Sequence, residues 1–274
     1  MSGNWADVVH NVLAIRAAPE GGSEQVSQAI MGDAVQILSE SDGYAHVRCA
    51  DGYEGWALRN QLRAVPDEAG FVAQYSDSPD LAVVWEAFEE VTSTEGEPCT
   101  KLVFGTPILV HDYDPKRSGF ALAMLADGTS VRIDAHTLRP FRNATGSDSP
   151  ASLARRFVGT PYLWGGATPF GFDCSGFVQR VYTAVGVSLP RDAYQQVACP
   201  LGQIVPAGAP LLAGDLVFFL GARDPRNRGI THVGMMIDPV RMIHAHGRRG
   251  VTIEPLISAD ILAAYAFKGA LRLK

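Results

Sequence analysis

The sequence predicts an α+β protein in which two small β-barrels precede a domain of helices packed on an antiparallel sheet. Three observations predict this fold. Short β-like runs separated by turn signals fill residues 1–142, a polar segment follows, and from residue 150 onward helical patterns come before a series of short apolar runs. Helices followed by adjacent strands are typical of α+β domains.

Composition narrows the class of protein. The chain has 274 residues, of which 47% are apolar and 19% charged, so we expect a soluble globular protein of two or three domains. The net charge of −6 and the absence of a Lys/Arg run make nucleic acid an unexpected partner. The sequence contains no uninterrupted run of about 18 apolar residues, so it predicts no membrane span. The first residues, MSGNWADVVHNVLAI, lack the basic region and cleavage site of a signal peptide, so we expect a cytoplasmic location.

The two barrels are predicted at residues 1–65 and 66–142. In the first, the runs VVHNVLAIRA, AVQILSE and YAHVRCA are followed by DGYEGWALRNQL. The second contains DGTSVRIDAHTL, which repeats the pattern of that last segment: an Asp-Gly turn, a strand, then a polar residue and Leu. This sequence echo, the pattern shared by DGYEGWALRNQL and DGTSVRIDAHTL, indicates a duplicated barrel.

The third domain is predicted at residues 143–274. It begins with the turn-rich linker NATGSDSP, and SPASLARRFVG then predicts a short helix. Residues 175–185 place their apolar side chains on one helical face, and Gly186 is a stop signal. The strand candidates that follow are GDLVFFLG, HVGMMID, MIHAHG, VTIEPL and YAFKGALRLK.

One of the four widely spaced cysteines is a candidate nucleophile. Cys174 lies at the predicted start of a helix, where free N–H groups and the helix dipole stabilise a thiolate. The alternative is a small buried hydrophobic residue. Gly165, Gly166, Gly171 and Gly176 flank it, and we expect them to let a ligand approach the backbone closely.

A nucleophilic thiol needs a base that the fold brings near it. His232 and His244 lie on predicted neighbouring strands, although either could be an ordinary histidine at a strand edge. His246 shares a strand face with His244, and spacing does not choose between them. A Cys, His, His set could also bind a metal, but the spacing is unlike that of structural zinc sites, so we expect no metal and no cofactor.

Five segments occur in an order that resembles the NlpC-type peptidoglycan cysteine peptidases: GTPYLWGG, DCSGF, GDLVFF, THVGMMI and MIHA. This resemblance implies a papain-like fold for the third domain. It implies that Cys174 is the nucleophile, that His232 is the general base and that His244 orients the base. It also implies that Tyr162 lies beside the oxyanion site.

The amino-terminal residues, with DGYEGW as their clearest element, resemble a bacterial SH3-like domain, and the second barrel resembles a diverged copy. The whole layout resembles the subgroup that cleaves the γ-D-glutamyl bond to a diamino acid in murein peptides with a free amino-terminal L-Ala. In that subgroup Asp192 is expected to bind the substrate's α-ammonium group and Tyr53 to close that end of the cleft. The other expected substrate-binding residues are Trp164, Ser175, Asp173 and Arg191.

Two positions depart from the subgroup, with Ala193 in place of Ser and Ala18 in place of an acidic residue. On the residues alone, Asp192 could instead cap a following helix and Tyr53 could be an ordinary barrel aromatic. The expected partner is a murein-derived peptide, L-Ala-γ-D-Glu-diamino acid, bound by a monomer. The alternatives are a catalytically inert peptidoglycan-binding protein and an amidase or acyltransferase on the same framework.

Overall fold

The computed structural model describes residues 4–66, 70–113, 119–141, 148–221 and 229–273. The chain divides into two units, Met1–Ser147 and Asp148–Lys274, and each is described by itself. In the described part of the chain, no helix has the length and apolar content needed to cross a bilayer.

The first unit is built from two seven-stranded antiparallel sheets. The strands of the first sheet are β1 (Asn4–Val8), β2 (Val12–Arg16), β3 (Gln25–Ile30), β4 (Ala34–Ser41), β5 (Tyr44–Arg48), β6 (Glu54–Leu58) and β7 (Leu62–Val65). The strands of the second sheet are β8 (Leu81–Val84), β9 (Phe88–Ser93), β10 (Pro98–Val103), β11 (Pro107–Tyr113), β12 (Phe120–Met124), β13 (Ser130–Asp134) and β14 (Leu138–Pro140).

The two sheets share one topology. The strand order is β3-β2-β6-β5-β4-β1-β7 in the first and β10-β9-β13-β12-β11-β8-β14 in the second, so each strand has a counterpart seven strands later. A single 3-10 turn precedes the last strand of each sheet, at Arg59–Gln61 and Ala135–Thr137. The duplication indicated by the sequence echo is therefore confirmed.

The Asp-Gly turns of the echo have a steric basis. Gly52 and Gly128 have φ of 81° and 86°, in the left-handed region that favours glycine. A short helix, α1 (Phe71–Tyr75), lies between the two sheets in sequence. It is tied to the first sheet because the buried Asp7 carboxylate accepts the N–H of Phe71 at 2.9 Å.

The second unit packs helices on one six-stranded sheet with the order β17-β22-β18-β19-β20-β21. Its helices are α2 (Pro150–Ala154), α3 (Cys174–Ala184), α4 (Ala193–Gln196) and α5 (Ala259–Ala264). The sheet strands are β17 (Gly202–Ile204), β18 (Leu216–Gly221), β19 (His232–Met236), β20 (Arg241–His246), β21 (Gly250–Pro255) and β22 (Tyr265–Leu273). The short hairpin is β15 (Ala167–Thr168) and β16 (Gly171–Phe172).

The paired strands of the six-stranded sheet are all antiparallel, as predicted for an α+β domain. Helix α3 buries the apolar face that the sequence predicted and packs against β19 and β20. It ends before Gly186, whose φ is 85°. The boundary between the units falls within the predicted linker 143–150, of which residues 143–147 lie outside the described residues.

Candidate active site

Cys174 is the first residue of α3, and the residue before it forms the helix cap. The Asp173 carboxylate accepts the N–H of Gly176 at 2.7 Å, which satisfies one of the free N–H groups of the first turn. Because α3 packs against β19 and β20, this helix start is held against the strands that carry the candidate histidines. Cys174 is 8% exposed, so a substrate could reach it only from a narrow direction.

The charge state of Cys174 corrects the sequence expectation of a thiolate. Burial and, to a smaller extent, the nearby Asp173 carboxylate raise the pKa of the thiol to about 12. The N–H groups of Val233 and Ser175 and the Arg191 cation lower the pKa, as expected at a helix start, but burial outweighs them. At neutral pH the resting site therefore holds a thiol.

Three of the four glycines around Cys174 allow close packing of the chain itself, and the expected role of the four in ligand approach stays a prediction. A Cβ at Gly176 would lie 2.2 Å from the carbonyl oxygen of Gly166, and a Cβ at Gly166 would lie 2.2 Å from that of Gly171. A Cβ at Gly171 would lie 2.5 Å from the side chain of Leu163. These close approaches press the loop before α3 onto the helix start.

The two candidate histidines face each other. His232 Nε2 and His244 Nδ1 are 2.8 Å apart, and both side chains are buried. This geometry favours His244 over His246 as the partner of His232. Among the described residues, no group of three or more His, Cys, Asp or Glu side chains could hold a metal ion.

Burial also keeps both rings neutral. The pKa of His232 lies well below its ordinary value, first because of burial and then because of the neighbouring His244 and His246. Burial lowers the pKa of His244 to about 4, against the attraction of the Glu254 carboxylate. A neutral imidazole can accept the proton of a thiol when a reaction begins.

Tyr162 lies beside the candidate nucleophile, as expected. The N–H of Phe172 donates to Pro161 at 3.0 Å and that of Leu163 donates to Phe172 at 3.1 Å, which fixes Tyr162 next to the strand that leads into Cys174. Burial raises the pKa of the Tyr162 hydroxyl, and charge on Cys174 or Asp173 raises it further. The hydroxyl therefore keeps its proton and can donate it as a hydrogen bond.

Asp173, Ser175 and Arg191 form one buried group behind Cys174. The Arg191 guanidinium donates to both carboxylate oxygens of Asp173, at 3.0 and 2.6 Å, and to Ser175 Oγ at 3.0 Å. Arg191 is 1% exposed. Its charge is therefore directed at Asp173, and the expected contact of Arg191 with substrate is replaced by a supporting role inside the domain.

Asp192 occupies the cap position of α4. Its side chain accepts the backbone N–H of Gln195, and its own N–H donates to Gln195 Oε1 at 3.2 Å. The capping role inferred from the residues alone is confirmed. Asp192 is also half-buried, so a role in binding a substrate ammonium stays a prediction.

Two further expected binding residues lie in different units. Trp164 is 59% exposed, in the loop that also carries the exposed side chains of Leu163 and Phe170. Tyr53 lies in the first unit, half-buried at the turn before β6, where its N–H donates to Asp51 at 2.9 Å. The roles of both residues in substrate binding stay predictions.

The sequence reasoning missed three residues of this site. Tyr265 stacks on His232 with ring centroids 4.5 Å apart, and the buried Glu254 places Oε1 3.5 Å from His244 Nε2. Gln196, fully buried, donates to the carbonyl of Ser175 at 3.1 Å. Of these three residues, only Glu254 could have been suspected from the sequence, because it places a carboxylate within the apolar strand candidate VTIEPL.

Two regions of the chain match known protein families. Residues 159–266 match the NlpC/P60 family, and residues 15–62 match the bacterial dipeptidyl-peptidase SH3 domain. A crystal structure of an NlpC/P60 family protein from Bacillus cereus superposes with a TM-score of 0.80 at 22% identity, covering 98% of this chain and 99% of that one. That likeness shows the fold.

Three curated relatives have related names. A gamma-D-glutamyl-L-lysine dipeptidyl-peptidase of Bacillus cereus is 27% identical over 88% of this chain and 73% of its own length. The protein of the same name from Bacillus subtilis is 44% identical over 39% of this chain, and the match spans only 34% of that protein. Dipeptidyl-peptidase 6 of Lysinibacillus sphaericus is 27% identical over 88% of this chain and 87% of its own length. Residues 159–266 therefore form an NlpC/P60 domain, and a bacterial dipeptidyl-peptidase SH3 domain precedes it.

Proposed function

We propose that this protein is a cysteine endopeptidase that hydrolyses the bond between γ-D-glutamate and a diamino acid in murein peptides with a free amino-terminal L-Ala. The observation that carries the proposal is the placement of Cys174 at the start of a helix packed on β19, whose first residue is His232, with His244 2.8 Å from that ring. The names of the relatives support the substrate class.

The first step joins the thiol to the substrate. His232 Nε2 is engaged by His244, so His232 Nδ1 is the nitrogen that accepts the Cys174 proton. The sulfur attacks the γ-glutamyl carbonyl carbon, and the electron pair of the C=O bond moves to the oxygen. Backbone N–H groups at the start of α3 and the Tyr162 hydroxyl donate hydrogen bonds to that oxyanion.

The second step releases the diamino acid and then the acyl group. The C–N bond breaks, and the His232 imidazolium gives its proton to the leaving amine, which leaves a thioester on Cys174. Water then attacks the thioester, and His232 takes a proton from that water. Collapse of this intermediate returns the proton to the sulfur and frees the carboxylate product.

Recognition of the free amino end falls to Asp192 in this proposal. A carboxylate bonded to an ammonium group contributes roughly 1.5–3 kcal/mol. Such a contact favours short released peptides over the intact wall, which fits a role in cell-wall peptide turnover or recycling. The cytoplasmic location expected from the sequence stays a prediction that cell fractionation can test.

The test is mass spectrometry of products after incubation with L-Ala-γ-D-Glu-diaminopimelate, with and without an acetylated amino end. We expect release of diaminopimelate from the free peptide alone. The matched variants are Asp192→Asn, which keeps a side chain able to cap α4 but loses the charge, and Asp192→Ala, which loses both. Asp192→Asn should raise KM for the free peptide.

Each of the following results would contradict part of the proposal. Equal cleavage of free and acetylated peptides would remove the role of Asp192 but leave the hydrolase in place. No cleavage of either peptide would favour the inert binding protein. Transfer of the acyl group to an added amine would indicate the acyltransferase alternative, and hydrolysis of a muramoyl-L-Ala peptide in a separate assay would indicate the amidase alternative.

A further inference from the structure

Glu254 lies next to His244, on the side of that residue away from His232. It lies on β21, where Thr252 is the residue paired with His244, so Glu254 is the diagonal neighbour of His244 on the same face of the sheet. Glu254 is 6% exposed, and its Oε1 is 3.5 Å from His244 Nε2. His244 Nε2 is buried and forms no hydrogen bond among the described residues, so the Glu254 carboxylate is the charged group that it approaches.

Two other groups face the same carboxylate. Arg249 places a guanidinium nitrogen 3.7 Å from Oε1, and its side chain is 55% exposed. The Ser258 hydroxyl donates to Oε2 at 3.4 Å. Oε1 is also the Glu254 oxygen that lies 3.5 Å from His244 Nε2, so it is the acceptor available to an N–H on that nitrogen.

The contacts decide which nitrogen of each ring carries a proton. An ionised carboxylate only accepts hydrogen bonds, so His244 must carry its proton on Nε2 and leave Nδ1 as an acceptor. His232 must then donate from Nε2 across the 2.8 Å contact. That leaves a lone pair on His232 Nδ1, which is the form that can take a proton from Cys174.

The opposite arrangement is disfavoured by the contacts themselves, and it would also disable His232 as the base of the proposed function. If His244 carried its proton on Nδ1, its buried Nε2 lone pair would face the carboxylate without a donor between them. His232 would then accept at Nε2 and carry its own proton on Nδ1. An N–H at that position cannot accept the thiol proton.

We propose that Glu254 is a positioning residue that sets the tautomers of His244 and His232 and supplies the counter-charge for the imidazolium formed in the reaction. The nearest other buried carboxylate, Asp173, is already neutralised by Arg191 in a two-point ion pair. Glu254 acts through His244 and does not touch the substrate. The kinetic part of this inference rests on the proposed function, and the tautomer part does not.

The first test is ¹⁵N NMR of the histidine side chains in the wild-type protein at neutral pH, which separates the two imidazole tautomers. We expect the Nε2–H tautomer for both His232 and His244. An Nδ1–H tautomer at either ring in the wild-type protein would overturn the proposal. This result needs no activity, so it decides the role of Glu254 even if the chain cleaves no murein peptide.

The second test compares Glu254→Gln and Glu254→Leu by NMR and by kinetics. The Gln amide oxygen can still accept the ring N–H, so Glu254→Gln should keep the tautomers but lose the counter-charge. Glu254→Leu should release both rings into mixed tautomers. We expect kcat to fall by about 10- to 100-fold in Glu254→Leu and by less in Glu254→Gln, with KM unchanged in both.

Asp215→Asn is the matched control because Asp215 is also a buried carboxylate of this sheet, bonded to Arg272 at 2.7 Å. It should lower stability without changing histidine tautomers or kcat. If Glu254→Leu lowers only the melting temperature, as Asp215→Asn does, Glu254 is structural and the proposal fails. If Glu254→Leu does not fold, Glu254→Gln and the wild-type spectrum still decide.

Discussion

Arg191 holds both carboxylate oxygens of Asp173, at 3.0 and 2.6 Å, in a position where the guanidinium is 1% exposed. The same Asp173 caps the helix that Cys174 begins. The ion pair therefore links the loop before α4 to the start of α3, and the direction of the nucleophile depends on it.

Replacing Arg191 should destabilise the second unit strongly. Arg191→Ala leaves the Asp173 carboxylate buried without its partner, which typically costs about 3–5 kcal/mol of unfolding free energy. Arg241→Ala is the control because Arg241 makes an ion pair with Asp238 at 2.6 Å on the surface, where such pairs contribute about 0–1 kcal/mol. Thermal and denaturant unfolding measure both. Equal losses in the two variants would mean that the Arg191 pair is no more than a surface contact.

Cys174→Ala should abolish hydrolysis and leave the fold intact. The removed sulfur forms the bond to the substrate in the proposed reaction, and a small side chain fits the same helix start. Cys199→Ala is the matched control, since Cys199 is also buried and free but lies beyond α4. Product release and circular dichroism are measured for both proteins. Substantial turnover by Cys174→Ala would exclude this nucleophile.

Two tyrosine variants should separate catalysis from stability. Tyr162→Phe removes a proposed donor to the oxyanion, which typically costs about 10²–10³ in kcat, while the melting temperature changes little. Tyr182→Phe removes a hydroxyl that donates to the Gly214 carbonyl inside the domain, so it should lower stability by about 1 kcal/mol and keep kcat. A full rate for Tyr162→Phe would return Tyr162 to a packing role.

The pH profile should reflect neutral, buried groups. The base must be neutral to accept a proton, and the pKa of His232 lies well below its ordinary value, so kcat/KM should stay level from pH 7 to below pH 6. It should fall as His244 protonates at a pKa of about 4. A rise centred on the ordinary cysteine pKa of about 8.5 is not expected, because the Cys174 pKa is about 12.

The unfolding free energy should change with pH in the same direction as the activity does between about pH 6.5 and pH 4. Because the folded pKa values of these histidines are lowered, the unfolded chain binds more protons below about pH 6.5, and the unfolding free energy falls as pH drops toward 4. Activity is therefore also measured after return to pH 7, which separates titration from unfolding. An acid limb near pH 6.5 with full folding would contradict the lowered pKa of His232.

The fold was largely predictable because its signals are local. Apolar periodicity located α3, the segment SPASLARRFVG located α2, and the apolar runs located the strands from β18 to β22. The repeated Asp-Gly pattern was enough to indicate a duplication that the matching strand orders confirm. The short elements β17 and α1 were missed because segments of three and five residues are too short to show a periodic pattern.

The site was predictable only in part, because burial and pairing depend on the tertiary structure. Motifs located Cys174, His232 and His244, but no local pattern showed that burial would outweigh the helix start in setting the thiol pKa. The pairing of Arg191 with Asp173 joins residues 18 positions apart, and Glu254 meets His244 across two strands. Such contacts become visible only once the strands are in register.

The burial of Cys174 bears on how this enzyme could be inhibited. A sulfur that is 8% exposed and keeps its proton reacts slowly with small electrophiles such as iodoacetamide, whereas Cys99 on the surface is open to them. Warhead reactivity alone would therefore label the wrong cysteine. A selective covalent inhibitor should therefore carry a recognition group that binds beside Cys174 and positions the electrophile. The thiol proton can then pass to His232 as the sulfur attacks.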